Sequence, residues 1–351
     1  MESAKRILVS PDSTIRDALV RIGETGLQIA AVVDADERLL GVVTDGDVRR
    51  AILGGRSLEE PVHEIMNTHP ICLKAGASRE EQISTFAEHQ RIHRIPVVDE
   101  GGRIVGLHLA EDLLPYSTAN VPVVIMAGGL GTRLRPFTDT VPKPMVAVGE
   151  RPILEHTIRK LQAFGFRKIY ISVNYLREVI KEHFGTGERL GVEITYLEED
   201  ERLGTAGALR LLPGGVGSPI IVMNGDILTH LNFRNLLDHF TSSATSATMC
   251  LRPYVHQIPY GVVSFDGEVL VGIDEKPQHV HFINAGIYVL DRSVLDLIPP
   301  AGFYDMPSLY QRVMDDPAKT VTVFPIHEFW IDIGNPADLE TARQKVREIE
   351  R

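Results

Sequence analysis

VIMAGGLGTRLRPFTDTVPKPM, residues 124–145, sets the reading of the whole 351-residue chain. An apolar β-type run, Val121 to Met126 interrupted by Pro122, empties into Gly128-Gly129-Leu130-Gly131-Thr132-Arg133; Pro136, Lys143 and Pro144 follow. Glycines placed after a buried strand let backbone N–H groups come close to an anion, and positive φ costs them little. Arg133 adds a bidentate fork for phosphate, and Lys143 a point charge fixed between Pro142 and Pro144. A glycine-rich loop alone can be only a tight turn. With an Arg and a Lys at set distances, it implies a polyphosphate held on the loop while another group attacks it.

Downstream of this loop, β-type runs alternate with helical stretches. Strands are expected at Val123 to Met126, Lys168 to Val173, Val192 to Tyr196 and Ile220 to Met223. Helices are expected at Ile153 to Phe164, Arg177 to Phe184, Ala206 to Leu211 and Pro336 to Glu350. The alternation predicts an α/β domain with a mostly parallel sheet and helices on both faces, its ligands beyond the carboxyl ends of the strands. Two aspartates stand where such ligands would be met. Asp226 closes the apolar run in IVMNGDIL, and Asp332 follows one in FWIDIGNP. Each could equally form a turn or cap a helix.

Upstream, one pattern occurs twice. Ala30 to Asp34 with Leu39 to Thr44 is a pair of apolar runs around an acidic turn, and Arg94 to Asp99 with Arg103 to Leu107 repeats it about 64 residues later. A helical stretch precedes each pair (Thr14 to Glu24, Arg79 to Gln90), and a helix start follows it (Asp47 to Leu53, Glu111 to Leu114). Such a repeat predicts two like modules packed on each other. The polar stretch PYSTANV, residues 115–121, divides the halves, giving expected domains at 1–118 and 119–351.

With 44% hydrophobic and 24% charged residues the composition is that of a globular protein. A net charge of −11 argues against a nucleic-acid groove but not against a local phosphate site. Cys72 and Cys250 lie far apart and form no metal or redox motif, so two reduced thiols are expected. MESAKRILVS lacks the apolar core of a signal peptide and no run reaches membrane-spanning length, so no membrane association and a cytoplasmic location are expected.

Residues 128–145 resemble the signature of the sugar-1-phosphate nucleotidyltransferases, GGxGTRLxPxTxxxPKPM, and match it at every specified position. The resemblance implies a Rossmann-like core with a mixed, mostly parallel sheet. The implied reaction joins a nucleoside triphosphate (NTP) to a sugar 1-phosphate and releases pyrophosphate. Gly128, Gly129, Gly131 and Thr132 would cradle the nucleotide, Arg133 would stabilise the pyrophosphate, and Lys143 would neutralise phosphate at the reacting centre. Asp226 and Asp332 match the family's metal-binding aspartates, with Mg²⁺ as the ion. Lys276 and Glu275, in Asp274-Glu275-Lys276-Pro277, resemble the segment that contacts the sugar phosphate and sugar hydroxyls. Asn284 in Asn284-Ala285-Gly286 and Gly261 in PYGVV resemble further sugar contacts, although an exposed Lys and a simple turn would explain Lys276 and Gly261. With the helical stretch running to Glu350, the left-handed β-helix that some relatives append is not expected here.

Glu198 to Gly207, with Gly204 and Thr205 in LGTAG, resembles the base-contacting loop. Guanine offers adjacent N1–H and N2–H donors to a carboxylate, whereas uracil and thymine suit an amide, so Glu198 leans the reading towards GTP. A solvated acidic turn is the other explanation.

Residues 1–118 resemble a tandem CBS pair, an α/β module that commonly holds an adenosine-type nucleotide between its repeats. Thr44 and Asp47 fit its Thr-x-x-Asp ligand motif, and fit a helix cap equally. The second repeat has His108-Leu109-Ala110-Glu111-Asp112 in that place and lacks the hydroxyl. Arg91, His93 and Arg94 could face phosphates or form a solvated basic edge. The CBS-then-transferase arrangement resembles guanylyltransferases that activate glucosamine 1-phosphate for legionaminic acid synthesis. Mannose- or heptose-phosphate guanylyl transfer, uridylyl or thymidylyl transfer, and a non-catalytic nucleotide-binding subunit stay open. A homo-oligomer is expected, since CBS pairs often associate.

Overall fold

The computed structural model describes residues 5–89, 92–113 and 120–345. Arg91, most of the expected linker, and the chain beyond 345 lie outside these residues. The chain forms two compact units, Met1–Ser117 and Thr118–Arg351.

The first unit repeats one motif. Strand β1 (Leu8–Val9) pairs parallel with β2 (Ile29–Val33), which pairs antiparallel with β3 (Leu39–Thr44). Strands β4 (Leu73–Lys74), β5 (Arg94–Val98) and β6 (Ile104–Leu109) repeat this order and pairing. The register slips at Val32/Val33 in one repeat and at Val97/Val98 in the other, so even the irregularity is duplicated. Helices α1 (Ile15–Thr25) and α2 (Asp45–Leu53) serve the first repeat, α3 (Arg79–Glu88) and α4 (Ala110–Leu113) the second. The repeats are tied by backbone bonds from Leu39 N–H to Gly102 O (3.0 Å) and from Ile104 N–H to Glu37 O (3.2 Å).

In the second unit a seven-stranded sheet runs β11–β10–β7–β12–β17–β14–β18. The strands are β7 (Val123–Met126), β10 (Lys168–Val173), β11 (Glu193–Glu198), β12 (Ile220–Asn224), β14 (Ala247–Gln257), β17 (Gln278–Leu290) and β18 (Val321–Pro325). Only β17 runs against the rest, so the sheet is mixed and mostly parallel, as the sequence predicts.

Alternation along each strand feeds two cores. Val123, Ile125, Ile169, Ile171, Ile221 and Met223 face helices α5 (Ile153–Ala163), α6 (Arg177–Phe184) and α8 (Phe233–Ser242). Val124, Ile220, Val222 and Tyr288 face α7 (Gly204–Gly207) and α9 (Met306–Asp315), together with Leu209 of the turn that follows α7. Burial on both faces explains why these strands read as continuous apolar runs. A smaller core, with Leu134, Val148, Ile153, Leu228, Ile333 and Leu339, sits under the glycine loop; Val148 belongs to the ribbon β8 (Ala147–Val148)–β9 (Arg151–Pro152) and Leu339 to α10 (Pro336–Gln344). Two further short pairings complete the unit: β13 (Ile227–Thr229) with β19 (Trp330–Asp332), and β15 (Gly261–Asp266) with β16 (Val269–Glu275).

The expected helix from Ala206 to Leu211 is instead a single α turn, Gly204–Gly207, followed by a tighter turn, Ala208–Leu211. Pro213, just beyond, ends it.

Candidate active site

The loops after β7, β10, β11 and β12 all leave the same edge of the parallel strands, and they supply the site. Gly131 holds φ +64°, and a Cβ there would lie 3.0 Å from both Lys143 Cβ and Thr138 Cγ2. Thr138 Oγ1 donates to Gly131 O at 2.8 Å. The loop is thus closed on the segment carrying Lys143, which only glycine allows. Leu134, fully buried, anchors the following turn while Thr132 and Arg133 stay exposed.

Lys143 is buried, and its ammonium forms an ion pair with Asp226 and lies 3.7 Å from Asp332 Oδ1. The aspartates meet because β13 pairs with β19, setting Ile227 opposite Asp332; Ile333 N–H also donates to Asp226 O at 3.0 Å. Asp226 Oδ1 and Asp332 Oδ1 are buried without a hydrogen-bond partner. Burial, then the neighbouring Asp226 charge, push the Asp332 carboxyl above its ordinary value, against the pull of Lys143 and Arg133. Two buried carboxylate oxygens without a hydrogen-bond donor, on aspartates whose charges repel, form a hard oxygen donor set, which fits a divalent cation such as Mg²⁺. Arg133 stands beside Gly334 with its Nη1 3.7 Å from where a Cβ would be. Thus Arg133, Lys143, Asp226 and Asp332, 199 positions apart at the extremes, share one site.

The acidic loop is arranged differently from the sequence expectation. Glu198 points outward and pairs with Lys181 (2.9 Å) and Arg177 (3.4 Å). Glu199 points inward: it is buried, accepts from the Ser172 hydroxyl and from Leu203 N–H (3.0 Å), and leaves Oε1 2.7 Å from where a Cβ on Gly128 would be. Gly129 faces open space. Gly204 has φ +81°, with Tyr304 O 2.5 Å from a Cβ position, and Thr205 Oγ1 accepts from Met306 N–H at 2.9 Å. LGTAG is therefore fastened to the start of α9, with the Thr205 hydroxyl engaged there.

On the other side of the site, Gly286 (φ +69°) packs against Asn224, whose Nδ2 lies 2.7 Å from a Cβ position. This brings the Asn284-Ala285-Gly286 segment beside Asn224-Gly225-Asp226. Asn284 donates to the Tyr288 hydroxyl at 2.8 Å and accepts from Gly286 N–H at 2.9 Å. Gly261 and Glu275 pair across β15–β16, with Glu275 Oε2 2.9 Å from the Gly261 Cβ position. Lys276 ends that ribbon at φ +51°, exposed. Among the described residues no carboxylate pairs with its ammonium.

In the first unit, Thr44 N–H and Oγ1 donate to Asp47 Oδ2 at 2.8 and 2.6 Å, and Arg50 pairs with the other Asp47 oxygen. Thr14 and Asp17 make the same reciprocal box at the start of α1. Arg94 donates to Leu27 O at 3.1 Å, bridging the repeats.

The family model described as Nucleotidyl transferase matches residues 122–349. The chain belongs to the nucleotidyl transferase family. The CBS domain model matches residues 3–54 and 62–116, so a tandem CBS pair precedes the transferase unit. Among relatives, the mannose-1-phosphate guanyltransferase of Candida albicans is 36% identical over 61% of this chain and 61% of its own length. That of Saccharomyces cerevisiae is 36% identical over 61% of this chain and 62% of its own. The chain thus spans about three-fifths of the length of these curated relatives. Among solved structures, HddC from Yersinia pseudotuberculosis complexed with GMP-PN superposes with a TM-score of 0.50 at 26% identity, covering 64% of this chain and 99% of that one. A Bacillus anthracis chain named for thymidylyl transfer to glucose 1-phosphate resembles it as well, at a TM-score of 0.53 and 26% identity, over 65% of this chain and 96% of that one. The fold itself therefore does not choose a base. Among the described residues no helix is long and apolar enough to cross a membrane.

Proposed function

We propose that this nucleotidyl transferase moves a guanylyl group from GTP to a hexose 1-phosphate, releasing pyrophosphate. The convergence of Arg133, Lys143, Asp226 and Asp332 at one strand edge carries the reading. The reaction joins two anions, and the sugar phosphate is already a nucleophile at neutral pH, so positioning and charge neutralisation dominate and no general base is required. Arg133 meets the departing pyrophosphate, Lys143 the phosphate under attack, and Asp226 with Asp332 hold Mg²⁺. When bound, that ion supplies charge neutralisation of the triphosphate. Lys276, which has no carboxylate partner among the described residues, is the cation we assign to the sugar phosphate, and Glu275 and Asn284 are the groups we assign to sugar hydroxyls.

Glu199, not Glu198, is the carboxylate we assign to guanine, because it is turned inward beside Gly128 of the loop while Glu198 points outward; Glu199 would exchange its present bonds to Ser172 and Leu203 N–H for the base. Relatives named for mannose 1-phosphate favour that sugar over glucosamine 1-phosphate. Incubation with Mg²⁺, one of GTP, UTP, dTTP, ATP or CTP, and mannose, heptose, glucosamine, N-acetylglucosamine or glucose 1-phosphate, with products resolved by anion exchange, tests both choices. GDP-mannose is the expected product. A uridylyl or thymidylyl sugar would overturn the base assignment, and no product from any donor would favour the non-catalytic subunit.

The CBS pair is the candidate regulator. An adenine nucleotide there changes activity only by binding active and inactive states unequally. The polar groups of Thr44 and Asp47 are already satisfied in a box that Thr14 and Asp17 duplicate, so capping accounts for their spacing. Unchanged rates on adding AMP or ATP, in the full chain and in one lacking residues 1–118, would sink the regulatory reading.

A further inference from the structure

The fully buried positions of β10 are Ile169, Ile171, Val173 and one polar residue, Ser172, which is 1% exposed. Ser172 stands opposite Met126 of β7 and Leu197 of β11, on the sheet face whose core Tyr170 also joins. Serine at such a place gives up the strand propensity and apolar contact that valine would supply. A buried hydroxyl also costs free energy unless it is hydrogen-bonded. Among the described residues its hydroxyl has one partner, Glu199 Oε1.

Glu199 is held in two different ways. Its backbone is pinned on both sides: Glu199 N–H donates to Val173 O at 2.9 Å, and Glu199 O accepts from Asn174 Nδ2 at 2.8 Å. Its carboxylate takes one donor on each oxygen, the Ser172 hydroxyl on Oε1 and Leu203 N–H on Oε2 at 3.0 Å. Guanine presents the same pattern to a carboxylate, with N1–H on one oxygen and N2–H on the other. Uracil offers a single N–H between two carbonyls and cannot replace the pair.

We propose that Ser172 is a specificity-determining residue that acts through Glu199. Its hydroxyl, with Leu203 N–H, occupies the two acceptor atoms that guanine needs, and GTP binds by displacing them. This rests on the assignment of Glu199 to guanine. The carboxylate changes partners about a fixed point, since Val173 and Asn174 keep hold of the backbone. The bond to Ser172 favours the engaged carboxylate, so the apparent affinity for GTP is reduced by the fraction of chains in which Glu199 is disengaged. UTP is spared this competition, because a lone N–H does not draw the carboxylate away.

Pyrophosphate release by the full chain, with Mg²⁺ and mannose 1-phosphate, tests the proposal. GTP is varied as substrate and UTP is added as competitor, in wild type, Ser172→Ala, Ser172→Val, Ser172→Thr and Asn174→Ala. In the Ala and Val variants of Ser172, KM for GTP should fall about 3- to 10-fold, while the inhibition constant of UTP stays within about twofold. Ser172→Thr keeps the hydroxyl and should keep the wild-type values. Asn174→Ala releases the pin and should move KM for GTP the other way, up about threefold or more. A serine that served only to stabilise the fold would not tighten GTP alone. An unchanged or raised KM for GTP in the folded Ala and Val variants would overturn the proposal and leave the guanine assignment standing. So would UTP tightening alongside GTP, or a wild-type KM for GTP in Asn174→Ala. A wild type that UTP occupies more tightly than GTP, or that releases no pyrophosphate, would overturn the assignment and this inference together.

Discussion

Lys143 offsets part of the repulsion between two aspartates, and Asp332 bears the remaining cost. Its carboxyl is raised by burial and by Asp226, so ionising it costs more in the folded chain than in the unfolded one. The contribution of such a group to stability is full below the unfolded carboxylate pKa of about 3.9 and is lost as pH rises through the higher folded value. Asp332→Asn removes the penalty. With a chelator present, its melting temperature should exceed wild type by a margin larger at pH 8 than at pH 4, while activity with Mg²⁺ falls about 10²-fold or more. A variant less stable than wild type at pH 8 would contradict this. At Glu199, exchange of a carboxylate for an amide should lower discrimination of GTP over UTP by about tenfold, roughly 1.4 kcal/mol, read as a ratio of kcat/KM. The same change at Glu198 should leave that ratio alone. Arg133, Lys143 and Asp226 were legible in the sequence because each sits in a dense motif after an apolar run. Glu199 was not, since an acidic run has no period of its own. The available signal was strand alternation: Glu199 lies two residues after buried Leu197, on the same face.

At the scale of elements, a motif read as a base-contacting helix is also a fastening. Gly204 sits with φ +81° against Tyr304 O, and Ala206 and Gly207 N–H both donate to that oxygen at 3.0 and 2.8 Å. Gly204→Ala combines a strained backbone with a clash and should cost about 2 kcal/mol or more in chemical denaturation. A fully stable variant would mean that the turn relaxes without strain. The parallel strands β7, β10 and β12 were legible because burial on both faces leaves an unbroken apolar run between turn signals. The long strands β14 and β17 and the β15–β16 ribbon were not drawn from sequence. Their outer halves expose apolar residues, so pattern and burial part company there.

For the whole molecule, the repeat in residues 5–113 and the alternation after residue 120 were both visible because each repeats a simple physical rule many times over. Base and sugar choice rest instead on single side chains whose direction only the fold reveals. Lys143, Asp226 and Asp332 are proposed to act as one catalytic centre. Pyrophosphate release from GTP and mannose 1-phosphate with Mg²⁺, in wild type and Asp226→Asn, tests it most directly. Release in wild type and a loss of about 10²–10³-fold in the variant, with its far-UV circular dichroism retained, are expected. Equal release by the two proteins would contradict it.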